Sequence, residues 1–180
     1  MFTPNALAIV FALAAGTAMA EGPRLGVPLT HTDLARWDIN VLPDGTGLPK
    51  GGGTSAQGAP IYAQKCAHCH GEQGKGGISA ALVGAPPIKS LDSPKTIANF
   101  WPYSTTVFDF IRRAMPWQQP RSLTDDEVYA LTAYLLALNK IIGEQDVMSA
   151  QTLPKVKMPN RDGFIPRFPE KMPPGPEREM

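Results

Sequence analysis

Apolar residues recur at helical spacing in the central part of the chain. The clearest stretch follows Thr124, where apolar side chains return every three or four residues, namely Val128, Leu131, Tyr134, Leu135 and Leu138. Thr124 and Glu127 have the spacing of a capping box, so we expect Thr124 to be the N-cap of this segment. Gly143 then follows as a stop signal. The pattern predicts a long amphipathic helix that closes the central region.

Two shorter helices are predicted before this one. The first begins near Ser55 and carries Ile61 and Tyr62 toward Cys66. The second opens at Ser104-Thr105-Thr106 and ends just before Pro116, because proline interrupts a helix. The sequence therefore predicts an all-α domain over residues 54–143.

The segments on either side are rich in proline and glycine. Residues 21–53 end in three consecutive glycines and hold one short apolar patch around Trp37, so we expect an extended N-terminal arm that packs through Trp37. Residues 144–180 contain seven prolines, which exclude a helix and favour an extended segment. Basic and apolar residues alternate over 155–159, which fits a partner-binding extension, although a disordered tail is the alternative.

The first twenty residues have the features of an export signal. Residues 1–20 carry no charged side chain, and the apolar run from Ala6 to Ala15 has signal-peptide length. The small residues Ala18 and Ala20 supply a cleavage site, so the mature chain would begin at Glu21. The run is too short to span a bilayer, and no other stretch is apolar enough. We therefore expect a cleaved signal peptide, a periplasmic location and no membrane span in the mature chain.

The charges of the chain are nearly balanced. Seventeen basic and sixteen acidic residues give a formal net charge of +1. This balance argues against nucleic acid as a partner, since nucleic-acid binding needs a strongly basic surface.

Cys66 and Cys69, the only cysteines in the chain, are followed directly by His70. This C-x-x-C-H arrangement is the attachment signal of c-type haem. On one helical turn the two thiols lie close enough to bond both vinyl groups of one porphyrin, and the histidine then faces the iron. The alternatives are a redox cysteine pair or half of a zinc site. A zinc site needs two further ligands, and a thioredoxin-like pair needs a βαβ pattern that is missing here.

A haem iron with one histidine needs a second axial ligand. The candidates in the mature chain are Met115, Met148, Met158, Met172, Met180, His31 and His68. His68 lies between the cysteines and cannot reach the opposite face, and the later methionines lie in or beyond the proline-rich tail. Met115 follows a helix and precedes Pro116, so we expect it to be the ligand, with His31 as the competitor; the alternative is that Met115 only fills the core. Two filled axial positions favour electron transfer, whereas a haem enzyme or gas sensor requires a vacant one.

The order of these pieces resembles class I cytochrome c over about residues 54–143. The resemblance implies three main helices around one covalent haem c, attached at Cys66 and Cys69, with His70 and Met115 as axial ligands. Within that resemblance, the carbonyl of Pro86 is expected to accept the imidazole N–H of the histidine.

The propionates of such a haem would also need partners. Trp101 and Tyr103 are candidates to donate hydrogen bonds to a propionate. Arg112 or Arg113 is a candidate to neutralise it, although paired arginines at a helix end are also favourable to the helix dipole alone.

Residues 33–50, 99–116 and 153–164 are similar to segments of the cytochrome c subunit of Sox-type sulfane dehydrogenase and of related sulfite dehydrogenases. The resemblance implies a single-haem electron-transfer subunit without catalysis of its own. Its partners would be a molybdenum-cofactor subunit that oxidises a sulfur compound and a downstream soluble cytochrome c. A free diffusible mono-haem carrier is the alternative function.

Overall fold

The computed structural model describes residues 25–35 and 37–164. The predicted signal peptide and residues 165–180 of the predicted tail, with Met172 and Met180, lie outside the described residues. The chain divides into two compact units at the Asp38–Ile39 bond. The first unit contains a short helix, α1 (His31–Ala35). Trp37 is 77% exposed. Packing of the arm through this side chain stays a prediction.

The second unit is helical, with one two-stranded ribbon. Its elements in chain order are β1 (Gly52–Thr54), α2 (Ser55–Lys65), α3 (Ala67–His70), a 3-10 turn (Glu72–Gly74), α4 (Ile97–Phe100), α5 (Ser104–Ala114), α6 (Asp125–Leu138), β2 (Val147–Ser149) and a second 3-10 turn (Leu153–Lys155). The helices predicted to begin near Ser55, at Ser104 and after Thr124 are therefore confirmed individually.

Threonine capping boxes start three of these helices. Thr54, Thr96 and Thr124 each accept a hydrogen bond from the backbone N–H three residues later, and that residue's side chain bonds back to the threonine N–H. Helix α6 ends at Leu138 and not near Gly143, because the Asn139 side chain donates to the carbonyls of Leu135 and Leu82, at 2.9 and 3.2 Å. Capping of this kind satisfies backbone groups that a helix end leaves unpaired.

Helix α6 forms the centre of the core. It crosses α2 where Gly58 faces Ala130, and β1 approaches the same residue at Gly53; a Cβ on Gly58 would lie 2.0 Å from the Ala130 oxygen. On the other side, the rings of Phe108 in α5 and Tyr129 in α6 are 4.4 Å apart. Both rings are fully buried, so close helix packing fixes the relative positions of α2, α5 and α6.

The segment after α6 packs on the same core. β2 pairs antiparallel with β1, with Met148 opposite Gly53. Met148, Leu153 and Met158 are 4%, 0% and 1% exposed. The composition placed a domain boundary after Gly143, but packing continues to at least Met158, since these apolar side chains are buried within their own unit. The prolines of this segment leave it without an α-helix within the described residues, but they do not prevent burial of its apolar side chains.

Within residues 25–35 and 37–164, no helix combines the length and the apolar character that crossing a membrane requires.

Candidate functional site

The two cysteines and the histidine lie on one helical turn. Helix α2 ends at Lys65, and α3 follows at once, with Cys66 between them. The backbone N–H groups of Cys69 and His70 both donate to the Cys66 carbonyl, at 3.1 and 3.0 Å. Gly71 ends the turn with a φ of 75°, which favours glycine. The hydroxyl of Tyr62 donates to the Gly71 carbonyl at 3.0 Å and ties this end to α2.

A loop after this turn fixes the histidine ring. The Ser79 N–H donates to the Cys69 carbonyl at 2.9 Å, which brings the next residue against the imidazole. His70 Nδ1 lies 3.1 Å from the carbonyl oxygen of Ala80. When Nδ1 carries the proton, this contact is a hydrogen bond that leaves Nε2 free for a metal.

The carbonyl beside His70 is therefore that of Ala80. The sequence had predicted the carbonyl of Pro86 instead. The Pro86 carbonyl instead accepts a hydrogen bond of 2.8 Å from the side-chain amide of Asn99. The sequence interpretation relied on a proline at this position, whereas a backbone carbonyl of any residue type can accept the bond. Only the path of the 71–83 loop shows which carbonyl reaches the ring.

The turn faces a cavity of about 290 Å³. Cys66, Cys69 and His70 lie on its wall together with Met115, and apolar side chains form much of the remainder, among them Leu82, Ile97, Val107, Ile111, Leu131 and Leu135. Sequence reasoning missed Leu82 and Ile97 as wall residues, because they lie outside the long helices. A largely apolar concave site with a few polar groups is typical of a cofactor pocket.

Met115 is the one methionine on this wall within the described residues. It is the C-cap of α5, and its backbone N–H donates to the Ile111 carbonyl at 3.1 Å. Met148 and Met158 are buried elsewhere in the core. His31 is exposed in the N-terminal unit, and His68 is exposed on α3. The structure thus places Met115 and His70 on the same cavity, while their roles toward iron stay predictions.

Burial raises the pKa of the Cys66 thiol to about 11. The apolar surroundings are the main cause, and the nearby Cys69 adds to the effect. A redox cysteine pair needs a thiolate with a lowered pKa, so this environment is unfavourable to that alternative. It suits a sulfur that carries no charge, as in a thioether.

The four residues predicted to serve the propionates are not all at the cavity. Trp101 lies on its wall, with its ring 5.6 Å from that of Phe110. Tyr103 is instead covered by the Arg161 guanidinium, 4.1 Å from its ring centroid. Arg112 and Arg113 are absent from the wall, because their guanidinium groups pair with Asp125 and Asp109, at 2.9 and 2.8 Å.

These donors fit haem c. Two unpaired cysteines, a histidine whose Nδ1 faces a carbonyl and a thioether all border one apolar space. Thiols in this spacing form the covalent attachment, and imidazole with thioether is an established pair of axial ligands.

Comparisons with known proteins agree with the site. A family model described as cytochrome c oxidase, cbb3-type, subunit III matches residues 53–135. A thiosulfate dehydrogenase of Stutzerimonas stutzeri is 34% identical over 87 residues, which are 48% of this chain and 28% of that protein. The chain therefore spans under a third of this relative.

A solved structure matches nearly the whole chain. It is the crystal structure of the sulfane dehydrogenase SoxCD from Paracoccus pantotrophus, with a TM-score of 0.73 and 34% sequence identity. The match covers 87% of this chain and 82% of the chain in that structure.

The fold and the C-x-x-C-H site define a c-type cytochrome, whose cofactor is haem c and whose role is electron transfer. Within that class, the chain belongs to the cytochrome c subunits of Sox-type sulfane dehydrogenases.

Proposed function

We propose that this protein is a periplasmic electron-transfer subunit with a single haem c. It receives electrons from a molybdenum-cofactor dehydrogenase of sulfur compounds and passes them to another cytochrome c. The observation that carries the proposal is the cavity on which Cys66, Cys69, His70 and Met115 meet. The likeness to SoxCD over 87% of the chain supports a dehydrogenase partner.

Each wall residue has a distinct task in this proposal. Cys66 and Cys69 would anchor the porphyrin through two thioethers, and His70 and Met115 would hold its iron. Haem c, when bound, supplies one-electron oxidation and reduction. The Ala80 carbonyl orients His70 and increases its basicity. The soft sulfur of Met115 favours ferrous iron and raises the reduction potential.

Contacts among the three longest helices support the class I arrangement of three main helices. Helices α2 and α6 cross at Gly58 and Ala130, and α5 lies beside α6 through Phe108 and Tyr129. Val107 and Ile111 of α5 and Leu131 and Leu135 of α6 contribute apolar side chains to the cavity wall. An apolar wall limits the access of solvent to a bound metal.

Purification of the full chain from its native source or from a host with c-type cytochrome maturation tests this function. We expect the mature protein to begin at Glu21 and to show the mass increment of one haem. We also expect it to co-purify with a molybdenum protein and to be reduced on addition of sulfite or thiosulfate. A mature chain without a covalently attached haem would contradict the proposal.

A free diffusible carrier is the second candidate. The packing of Met148, Leu153 and Met158 into the cytochrome's own core favours it, because this part of the tail is then not available to wrap a partner. Size-exclusion chromatography of the native extract separates the candidates. A carrier elutes as the 19.4 kDa chain less its signal peptide, whereas a subunit elutes with the dehydrogenase.

A further inference from the structure

The charges on the cavity wall are few. Within the described residues, the wall carries the two lysines Lys65 and Lys95 and no aspartate or glutamate. Haem c carries two propionate carboxylates, and a nearby cation stabilises their ionised, negatively charged form. The distribution of cations around the cavity therefore bears directly on how the bound group is held.

Lys65 is already paired. Its ammonium lies 2.7 Å from a carboxylate oxygen of Glu127. The other oxygen of that carboxylate accepts the Thr124 N–H of the capping box at 2.8 Å, which fixes Glu127 in place. The Lys65 charge is thus largely compensated before any cofactor binds.

Lys95 has a different set of neighbours. Its ammonium donates to the Leu91 carbonyl and, at 3.4 Å, to the Ser93 carbonyl, and it lies 5.9 Å from the Phe100 ring centroid. The Ser93 hydroxyl in turn accepts the backbone N–H groups of residues 89 and 90, which orders this loop. The two carbonyl groups and the face of the Phe100 ring orient the ammonium of Lys95, but none of them carries a negative charge that would neutralise it.

We propose that Lys95 provides the countercharge for a propionate of the haem c in this cavity. Lys95 is exposed yet lies on the wall, as a residue at the solvent edge of a porphyrin must. The arginines predicted for this task are held by Asp125 and Asp109. The Trp101 indole, on the same wall, is a neutral donor that can complete the site.

A cation at the propionate has a defined electrostatic consequence. Negative charge near the iron stabilises the ferric form, so a neighbouring ammonium stabilises the ferrous form and raises the midpoint potential. The proposal rests on the haem attachment proposed above. It makes Lys95 a residue that sets the reduction potential without ligating the metal.

Spectroelectrochemical titration of the full haem-loaded chain tests this role. Lys95→Gln removes the charge but keeps a donor for the Leu91 and Ser93 carbonyls, Lys95→Glu reverses it, and Lys95→Arg retains it. We expect the midpoint potential to be highest and similar in the wild type and Lys95→Arg, lower in Lys95→Gln and lowest in Lys95→Glu. Lys89→Gln is the matched control, since it removes one charge from the same loop but lies off the wall.

The outcomes are distinguishable. Equal shifts for Lys95→Gln and Lys89→Gln would overturn the proposal, because they would reflect the general surface charge alone. A fall in potential for Lys95→Arg as large as for Lys95→Gln would also overturn it, since charge would then not be the cause. A wild-type chain without attached haem would contradict the proposed function itself.

Discussion

The Ser104 hydroxyl donates a hydrogen bond of 2.7 Å to the carbonyl oxygen of Leu153, and both residues are buried. This bond joins the first turn of α5 to the segment that follows the β-ribbon. Nearby, the Asn160 amide donates to the Phe100 carbonyl at 2.7 Å. The segment 153–160 therefore braces the stretch of chain that carries the wall residue Trp101.

Truncation should reveal how much of the tail belongs to the cytochrome. A chain ending after Ala150 loses Leu153 and Met158, and we expect its stability to fall by more than about 2 kcal/mol, the lower range for one buried leucine or methionine truncated to alanine. A chain ending after Phe164 keeps both side chains and should unfold at the same temperature as the full-length protein. Thermal unfolding of the haem-loaded forms measures the difference. Identical melting of the two truncated chains would contradict this expectation.

Ser104→Ala should destabilise the protein by about 1–3 kcal/mol, because the buried Leu153 carbonyl loses its donor. Thr106→Ala is the matched control, since Thr106 is exposed in the same turn of α5. Urea unfolding at neutral pH measures both. A cost no larger than that of the control would show that the buried bond contributes little.

Met115→Ala should abolish the sulfur-to-iron charge-transfer band of the oxidised protein and lower the midpoint potential, because a thioether would no longer ligate the iron. The haem should stay attached, since Cys66 and Cys69 are unchanged. Met158→Leu serves as the control, because Met158 is buried away from the cavity and should leave the band in place. Persistence of the band in Met115→Ala would exclude Met115 as the ligand.

Gly58→Ala should destabilise the protein by about 1–3 kcal/mol through overpacking. In an ordinary exposed helix this substitution is favourable, but here the new Cβ would lie 2.0 Å from the backbone oxygen of Ala130. Gly143→Ala is the comparison, because its Cβ would come no closer than 3.3 Å to a side-chain oxygen of Asp146. Equal unfolding free energies for the two variants would show that α2 and α6 separate at little cost.

The ion pair between Glu127 and Lys65 should make the free energy of unfolding depend on pH in the acidic range. The hydrogen bond from Lys65, aided by the Thr124 N–H, lowers the pKa of Glu127 below its ordinary value of 4.5. A carboxyl whose pKa is lower in the folded state stabilises the fold above the unfolded-state pKa, and this contribution is lost as pH falls through the folded-state pKa. The advantage of wild type over Glu127→Gln should therefore be full at pH 7 and shrink on acidification below about pH 4.5.

Unfolding free energies of both proteins across this pH range measure the effect. Lys65→Met provides the background control, since removing the ammonium should weaken the pH dependence of the Glu127→Gln difference. A difference that stays constant from pH 7 to acid would contradict the assigned role of the pair.

Local sequence signals predicted the helices well. The capping box at Thr124 and the break before Pro116 each depend on residues within one turn of one another. The same holds for the cysteines and His70, which one turn of helix brings to a single face. The β1–β2 ribbon was missed because each strand has only three residues and two of those in β1 are glycine.

The partners of the site residues were harder to predict. The choice of Pro86 rests on the resemblance of this segment to class I cytochromes c, yet the carbonyl beside the His70 ring is that of Ala80. Arg112 was chosen for its charge, yet Asp125 at the start of α6 lies beside it. Each error concerns a choice between groups of similar chemistry that only the folded chain distinguishes.

The sequence by itself determined the chemistry of this protein, because two cysteines and a histidine on one turn have their spacing fixed by helix geometry. Tertiary structure decided that Met115 shares the cavity with them and that Lys65 and Lys95, and not Arg112, are the cations at its wall. It also decided that Met148, Leu153 and Met158 of the proline-rich segment are part of the core. The physical reason is distance along the chain. Residues far apart in sequence meet only when the burial of apolar surface brings their segments together, and no local pattern records where that occurs.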